Sequence, residues 1–194
     1  MTEYRFAETP GPGPVLFTFH GTGGDAQQFH GFAAGVLPGA HVISPEGDVM
    51  ENGARRYFRR TGEGVYDMAD LARRTDAMGD FIAAHHRAPA FGFGYSNGAN
   101  ILASVMFQRP DLCDRIALLH PLIPFTPAPQ PGLAGRQVLI TAGRRDPICP
   151  ALLTQTLADW FTTQGADVTL HWHQGGHEIA AIEVQALASF LQAA

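Results

Sequence analysis

Residues 90–106 read AFGFGYSNGANILASVM, and the reading of the fold turns on how this stretch changes character at its middle. Ala90 to Tyr95 is a short apolar run of strand length, whereas Ile101, Leu102, Val105 and Met106 recur at the spacing of one helix face. Between them, Gly94-Tyr95-Ser96-Asn97-Gly98 sets a serine between two glycines in the pattern G-x-S-x-G. A strand that passes directly into a helix must turn sharply, and the side chain at the apex is thrown clear of both elements. Bulk two residues to either side would strike neighbouring backbone, so glycine belongs there. The chain has only four serines (44, 96, 104 and 189), and chance seldom frames one this way. An ordinary glycine-rich strand-to-helix turn is the competing reading, and the flanking strand and helix weigh against it.

Outward from this stretch the same alternation recurs. Val15 to Phe19, Ala40 to Ser44, Ile116 to Leu119, Val138 to Ala142 and Val168 to His173 are short apolar runs of the kind buried on both faces of a parallel sheet, and Tyr4 to Phe6 is expected as an edge strand. Met68, Leu71, Met78, Ile82 and His85 predict one helix, with Asp70, Arg73, Arg74, Asp76 and Asp80 on its wet face. Leu153, Leu157, Trp160 and Phe161 predict another, and Ile179, Ile182, Leu187, Phe190 and Leu191 the last. Strands alternating with helices imply an α/β fold: an open, mostly parallel, doubly wound sheet with helices on both faces and right-handed crossovers. Pro45 to Gly64, with Arg55, Arg56, Arg59 and Arg60 around Tyr57 and Phe58, and the five-proline stretch Pro121 to Gly135 are read as loops bordering a ligand crevice.

Length and composition agree with a single domain over 1–194. The net charge of -5 and the absence of a long Lys/Arg run give no reason to expect nucleic acid or an anionic membrane as partner. No apolar stretch reaches the 18 residues of a membrane span, and MTEYRFAETPGPGP lacks the basic-then-apolar pattern of a secretory signal. Cys113 and Cys149 are too few for a disulfide framework. Two reduced thiols in a cytoplasmic protein, with a homodimer as an admissible assembly, is the simplest expectation.

A serine hydroxyl needs a base within hydrogen-bond reach to act as a nucleophile at neutral pH. In the strand–Ser–helix architecture the acid and then the histidine follow in chain order. Of nine histidines, His177 stands in Gln174-Gly175-Gly176-His177-Glu178, between the last strand and the last helix, at the same sheet edge as Ser96. His171 and His173 share a strand face and suggest a metal pair with His177, but no Cys or carboxylate cluster in the sequence completes it, so they are read as partly exposed strand histidines. His120 follows a strand and is a candidate pocket residue, although it precedes every plausible acid. Asp146, in Gly143-Arg144-Arg145-Asp146-Pro147-Ile148-Cys149-Pro150, is the only acid between its strand and the next helix; its competing reading is a helix cap. Asp111 and Asp114 stand before the preceding strand and would enter from the wrong end. Acyl transfer also needs hydrogen-bond donors where negative charge develops. Backbone amides of Asn97 and of Thr22, in the turn His20-Gly21-Thr22-Gly23-Gly24-Asp25, are the candidates. That turn has neither G-x-G-x-x-G nor a P-loop ending, which argues against phosphate.

Together, His20 to Asp25, Gly94 to Gly98, Gly143 to Pro150 and Gly175-Gly176-His177 resemble the bacterial phospholipase/carboxylesterase family of α/β-hydrolases, from about Val15 to the end of the chain. Asn52-Gly53-Ala54-Arg55-Arg56-Tyr57-Phe58 is similar to a branch of small bacterial esterases within it. The resemblance implies an α/β-hydrolase fold with Ser96, Asp146 and His177 as triad and Thr22 and Asn97 as oxyanion residues. It implies hydrolysis of short acyl esters, lysophospholipids or protein thioesters, with no cofactor or metal. Many members carry Gln where this chain has Asn97, which bears on pocket shape and not on a backbone role.

The resulting expectation is a serine hydrolase acting on small carboxylic esters through an acyl-enzyme. An acyltransferase or perhydrolase using the same triad, and a non-catalytic binding module on the same fold, are the alternatives. Little of the chain is left for a lid, so an open cleft is expected, with His20, Gly23, Phe58, Ile123 and Phe125 as substrate-contact candidates. The four arginines at 55, 56, 59 and 60 are read as solvated loop charge in preference to an anion site. Activity is expected to rise with pH through one ionisation at about 6 to 7, the range of a free histidine.

Overall fold

The computed structural model describes residues 4–62 and 64–193. Along the chain lie β1 (Phe6–Thr9), β2 (Val15–Phe19), α1 (His30–Val36), β3 (His41–Pro45), β4 (Val49–Glu51), β5 (Ala54–Arg56), β6 (Arg60–Gly62) and β7 (Val65–Tyr66). Then follow α2 (Met68–His85), β8 (Ala90–Tyr95), α3 (Asn97–Gln108), β9 (Arg115–Leu119), β10 (Gln137–Gly143), α4 (Ala151–Thr163), β11 (Asp167–His173) and α5 (Ala181–Gln192). Seven strands form one sheet in the order β1-β3-β2-β8-β9-β10-β11. Every neighbouring pair is parallel except β1 with β3.

The register explains where a site can form. Phe19 pairs with Gly94, Tyr95 with Leu119, Thr141 with Leu119, and Gly143 with His173. The carboxyl ends of β2, β8, β9, β10 and β11 are therefore level, and the loops after them, at 20–24, 96, 120, 144–150 and 174–178, emerge along one edge.

Helices cover both faces. On one side α2, α3 and α4 bury Met78, Ile82, Ile101, Leu102, Met106 and Phe161 against Val15, Phe17, Ile116 and Ile140. On the other, α1 and α5 bury Ala33, Val36, Leu187 and Leu191 against Leu16, Phe93, Leu119 and Leu139. Burying the apolar surface of two helical layers on one sheet supplies the main driving force for this arrangement. Asp67 caps α2, its carboxylate accepting the Asp70 amide at 3.0 Å.

The chain is an α/β-hydrolase in fold, as expected, with four departures in detail. The edge strand begins at Phe6, because Tyr4 turns inward and packs edge-on against Phe81. Helix α1 had no signal: two glycines in seven residues weaken local helix preference, and packing of Ala33 and Val36 on α5 supplies what propensity does not. Pro45 to Gly64 is not a featureless loop. It contains the hairpin β4–β5, turned at Asn52 and Gly53, both with positive φ, and the start of a second small ladder, β6–β7. Finally, β11 is an edge strand whose residues alternate in exposure, not a strand buried on both faces. Among the described residues no helix is long and apolar enough to cross a membrane.

Candidate active site

Ser96 sits at the end of β8 with φ 52° and ψ −116°, a conformation that L residues seldom adopt. Its own amide donates to the Leu119 carbonyl at 2.8 Å, which fixes the turn to β9. A Cβ on Gly94 would lie 2.5 Å from the Gly98 carbonyl, and one on Gly98 would lie 2.4 Å from the Phe19 oxygen. The glycine spacing is thus a direct steric requirement of the turn.

The loop after β11 carries His177 to this apex. Its Nε2 is 2.9 Å from Ser96 Oγ and its Nδ1 is 2.7 Å from Asp146 Oδ2. Two contacts hold the histidine from behind: Tyr95 OH donates to the His177 carbonyl at 2.7 Å, and the two rings lie 5.3 Å apart. Burial, and then the nearby Asp146 carboxylate, push the Tyr95 phenol up to about 12, so it stays a donor.

Asp146 is buried, and its carboxylate is fully engaged. Oδ1 accepts the Ile148 and Cys149 amides at 2.8 and 2.9 Å, while Oδ2 faces two histidines. Burial works to raise its pKa, but the Cys149 amide, His120, His177 and the Ile148 amide outweigh that and hold the carboxyl below its usual range. Ser96, His177 and Asp146 come from three loops of one sheet edge and meet in one hydrogen-bonded line. Such a line can take a proton from the serine and stabilise the imidazolium that results.

The turn after β2 completes the site. Among the described residues, the Thr22 and Asn97 amides pair with no other backbone group, as donors awaiting an oxyanion would. The hairpin β4–β5 and the residues after it brace this region. Gly23 N–H donates to Arg55 O at 2.9 Å, Arg56 Nη1 to Thr22 Oγ1 at 2.9 Å, and Tyr57 N–H to Asn97 Oδ1 at 2.7 Å. The Asn97 side chain therefore ties α3, the helix that follows Ser96, to the hairpin.

The substrate-contact expectations need correction. His20 is buried beneath the turn, its Nδ1–H on the Gly21 carbonyl and its Nε2 accepting the Gly47 amide at 2.9 Å, and burial lowers its pKa. It is a neutral pin for the loop and does not line the cleft. Gly23 spends its amide on Arg55 and also stays out. Phe58 and Ile123 lie in the core and do not line the cleft, Phe58 packing against the Tyr66 ring at 4.8 Å. Phe125 lines a separate depression beside α2 and α3.

The cleft at Ser96 has a volume of about 380 Å³. Besides Thr22, Asn97 and His177, its walls are Tyr66, Tyr95, Asn100, Leu122, Ile148 and Cys149, with Arg56 and Arg60 at one side. Arg60 Nε and Arg56 Nε approach the two oxygens of one carboxylate, Glu51, at 2.7 and 3.3 Å, so two cations share one anion there. Arg55 instead pairs with Glu46 at 2.9 Å. Arg56 is thus buried and structural, contrary to a reading of all four arginines as solvated charge.

Sequence reasoning missed what stands behind Asp146 and His177. His120, fully buried, places Nδ1 2.8 Å from the same Asp146 Oδ2 that His177 touches, and Nε2 3.1 Å from Glu183 Oε1. Glu183 in α5 also lies 3.2 Å from His173 Nε2. His173 is therefore buried against a carboxylate, not partly exposed, while His171 two residues earlier faces outward. The only forewarning was the run of chemically unassigned histidines at strand ends.

No protein-family model matches the chain. It is 37% identical over 177 residues to a Bacillus subtilis (strain 168) protein named "Putative hydrolase MhqD", covering 88% of each chain. Among solved structures, the Bacillus cereus carboxylesterase aligns with a TM-score of 0.91 and 34% identity, over 98% of this chain and 94% of that one. Protein Atu2452 of Agrobacterium tumefaciens, of unknown function, aligns with a TM-score of 0.92 and 50% identity, over 98% and 96%.

Proposed function

The chain belongs to the bacterial phospholipase/carboxylesterase family of α/β-hydrolases and is an esterase-type hydrolase, and from that premise we propose that it cleaves small carboxylic esters through an acyl-enzyme on Ser96. The observation that carries this reading is the line Ser96 Oγ–His177 Nε2 at 2.9 Å and His177 Nδ1–Asp146 Oδ2 at 2.7 Å.

In the acylation step, Ser96 Oγ attacks the ester carbonyl carbon while His177 Nε2 takes its proton. The tetrahedral oxyanion is received by the Thr22 and Asn97 amides. The carbon–oxygen bond to the alcohol then breaks, and the alcohol leaves with the proton from Nε2. Water repeats the sequence on the acyl-serine: His177 takes its proton, the acyl–Oγ bond breaks, and the carboxylic acid departs as Ser96 is reprotonated. Asp146 keeps the His177 proton on Nδ1, which leaves Nε2 free to act as base.

A cleft of about 380 Å³ whose lining, among the described residues, takes helix residues only from α3 (Asn97 and Asn100) favours short acyl groups. The test is a p-nitrophenyl ester series of increasing acyl length, run on wild type and Ser96→Ala, with fluorophosphonate labelling in parallel. Turnover falling beyond about four carbons, and a loss of several orders of magnitude in Ser96→Ala, is the expected outcome. Near wild-type turnover in Ser96→Ala refutes the acyl-enzyme, and an optimum at twelve carbons or more refutes the substrate class.

A further inference from the structure

His120 has no part in the proton path from Ser96, yet the fold goes to some length to place it. The residue adopts φ 51° at the end of β9, a left-handed backbone for a non-glycine residue. Its amide is held on the Thr141 carbonyl at 2.8 Å and its side chain is shut off from solvent.

The neighbours dictate its protonation. Asp146 Oδ1 accepts two backbone amides, so this group is an ionised acceptor, and Oδ2 needs N–H donors from both His177 and His120. With its proton on Nδ1, a neutral His120 would turn the bare lone pair of Nε2 toward Glu183 Oε1 at 3.1 Å, where both side chains are buried. That approach lies off the line of a straight hydrogen bond, as does His173 Nε2 to Glu183 Oε2, so a bare lone pair on His120 Nε2 would meet the carboxylate with no hydrogen bond to offset the repulsion. Glu183 accepts the Ala180 amide on Oε2 at 2.6 Å, which favours its ionised form. A doubly protonated ring presents an N–H to Asp146 and a positively charged edge to Glu183.

We propose that His120 is a resident imidazolium clamped between Asp146 and Glu183, and that it is a positioning residue for the triad, supplying the second donor to Asp146 Oδ2. The proposal rests on the reading of Ser96, His177 and Asp146 as the triad. The three buried charges Asp146, His120 and Glu183 act as one unit of net charge −1. His120 thereby fixes the carboxylate that orients His177 and limits how much negative potential His177 experiences.

The groups facing His120 agree with this assignment. Burial alone would lower its pKa, but the two carboxylates outweigh burial and raise it, while Glu183, despite burial, is held low by His120, the Thr141 hydroxyl and the Ala180 amide. From β11, His173 accepts the Gly175 amide on Nδ1 at 3.1 Å, so its proton is on Nε2 and the ring is neutral. From β8, Tyr95 stands 5.8 Å away edge-on. The Cys149 thiol donates to the His120 carbonyl at 3.2 Å. Burial raises both of these acids, so both are uncharged at neutral pH. His177 lies 5.1 Å away, ring to ring.

A cation is the rival occupant, since ligand atoms of His120, His173 and Glu183 lie within 4.8 Å of one another. The donor set argues against it. His173 Nε2, the atom a metal would need bare, carries the ring's only proton, because Nδ1 is an acceptor.

The decisive measurement is 15N NMR of histidine-labelled wild-type protein from pH 5 to 9. One imidazole, identified by its disappearance in His120→Asn, is expected to keep both nitrogens protonated across neutral pH. In the near-isosteric Glu183→Gln the same ring should titrate within that range. Kinetically, Glu183→Gln and His120→Asn should lose about ten- to a hundredfold in kcat, the scale of one charge-assisted hydrogen bond, with KM little changed and the acid limb of kcat/KM displaced. A neutral His120 ring at pH 7 in wild type overturns the proposal, as does stoichiometric zinc that disappears on His173 substitution. If His120 is neutral while Ser96 still reacts with fluorophosphonate, the clamp fails and the triad stands. If Ser96 is inert, the triad reading fails, and the NMR result still judges the charge of His120.

Discussion

Tyr57→Phe removes one oxygen atom and no shape. In the native protein this phenol is fully buried and bridges two backbone groups, accepting the His20 amide at 3.1 Å and donating to the Pro45 carbonyl at 2.8 Å. Burial raises its pKa well above the usual range, so it remains protonated and able to donate. The variant strands one N–H and one C=O at a fully buried position, at about 1–3 kcal/mol each. Set against this, the phenol's own desolvation cost disappears, and the net loss should be about 2–4 kcal/mol. Out of a total stability of roughly 5–15 kcal/mol this is large. In a domain of this size it corresponds to a Tm lower by about 5–15 °C. Because the His20 ring lies 4.6 Å from Tyr57 and its backbone leads into Thr22, the same change should loosen the proposed oxyanion amide and lower kcat by about tenfold with KM nearly constant. Urea unfolding reports the first effect and ester hydrolysis the second. A variant within 0.5 kcal/mol of wild type at unchanged m, roughly the scatter of a neutral surface change, would show that the bridge contributes nothing and that the bracing argument is wrong.

Further expectations concern charge. Asp146→Asn should leave the fold intact but present an amide N–H to two histidine donors, forcing His177 into the wrong tautomer; kcat is expected to drop by about ten-thousandfold, and a loss below tenfold would argue against Asp146 as orienting acid. Stability should peak in mildly acidic solution. Asp146 and Glu183, held low, contribute fully above their ordinary values and lose this as pH falls through their depressed ones, whereas His120, held high, contributes fully below its ordinary value and fades as pH rises through its raised one. All three act together between about pH 4.3 and 6.5, and a urea midpoint that is highest above pH 8 would contradict the assignment. At the cleft, Arg56 and Arg60 exceed their shared Glu51 by one charge, so Arg60→Gln should reduce kcat/KM severalfold for a succinate monoester and leave a neutral butyrate ester unaffected; equal effects on both would deny a charge-based role.

The parts of this protein that could be read without coordinates are those whose cause is local. A turn that forbids Cβ atoms at 94 and 98 writes glycine into the sequence at those positions. A strand buried on both faces, such as β2 or β8, reads as a nearly continuous apolar run, and an amphipathic helix such as α2 repeats with its own period. Once the order of strands and helices is known, the loops bearing Thr22, Asp146 and His177 must share an edge. Asn52-Gly53 is an equally local hairpin signal, since both residues of that turn adopt positive φ.

What only the folded chain decided is everything that depends on one layer meeting another. Phe58 and Ile123 are apolar near a crevice in the sequence, and nothing local says that their side chains turn down into the core and away from substrate. His120, His173 and Glu183 belong to three elements with no shared motif, and become a charged cluster only because α5 packs across the ends of β9 and β11. Steric rules between neighbours in sequence leave a mark in the residue pattern. Electrostatic partnership between distant residues leaves none, since a carboxylate is indifferent to how far along the chain its histidine lies.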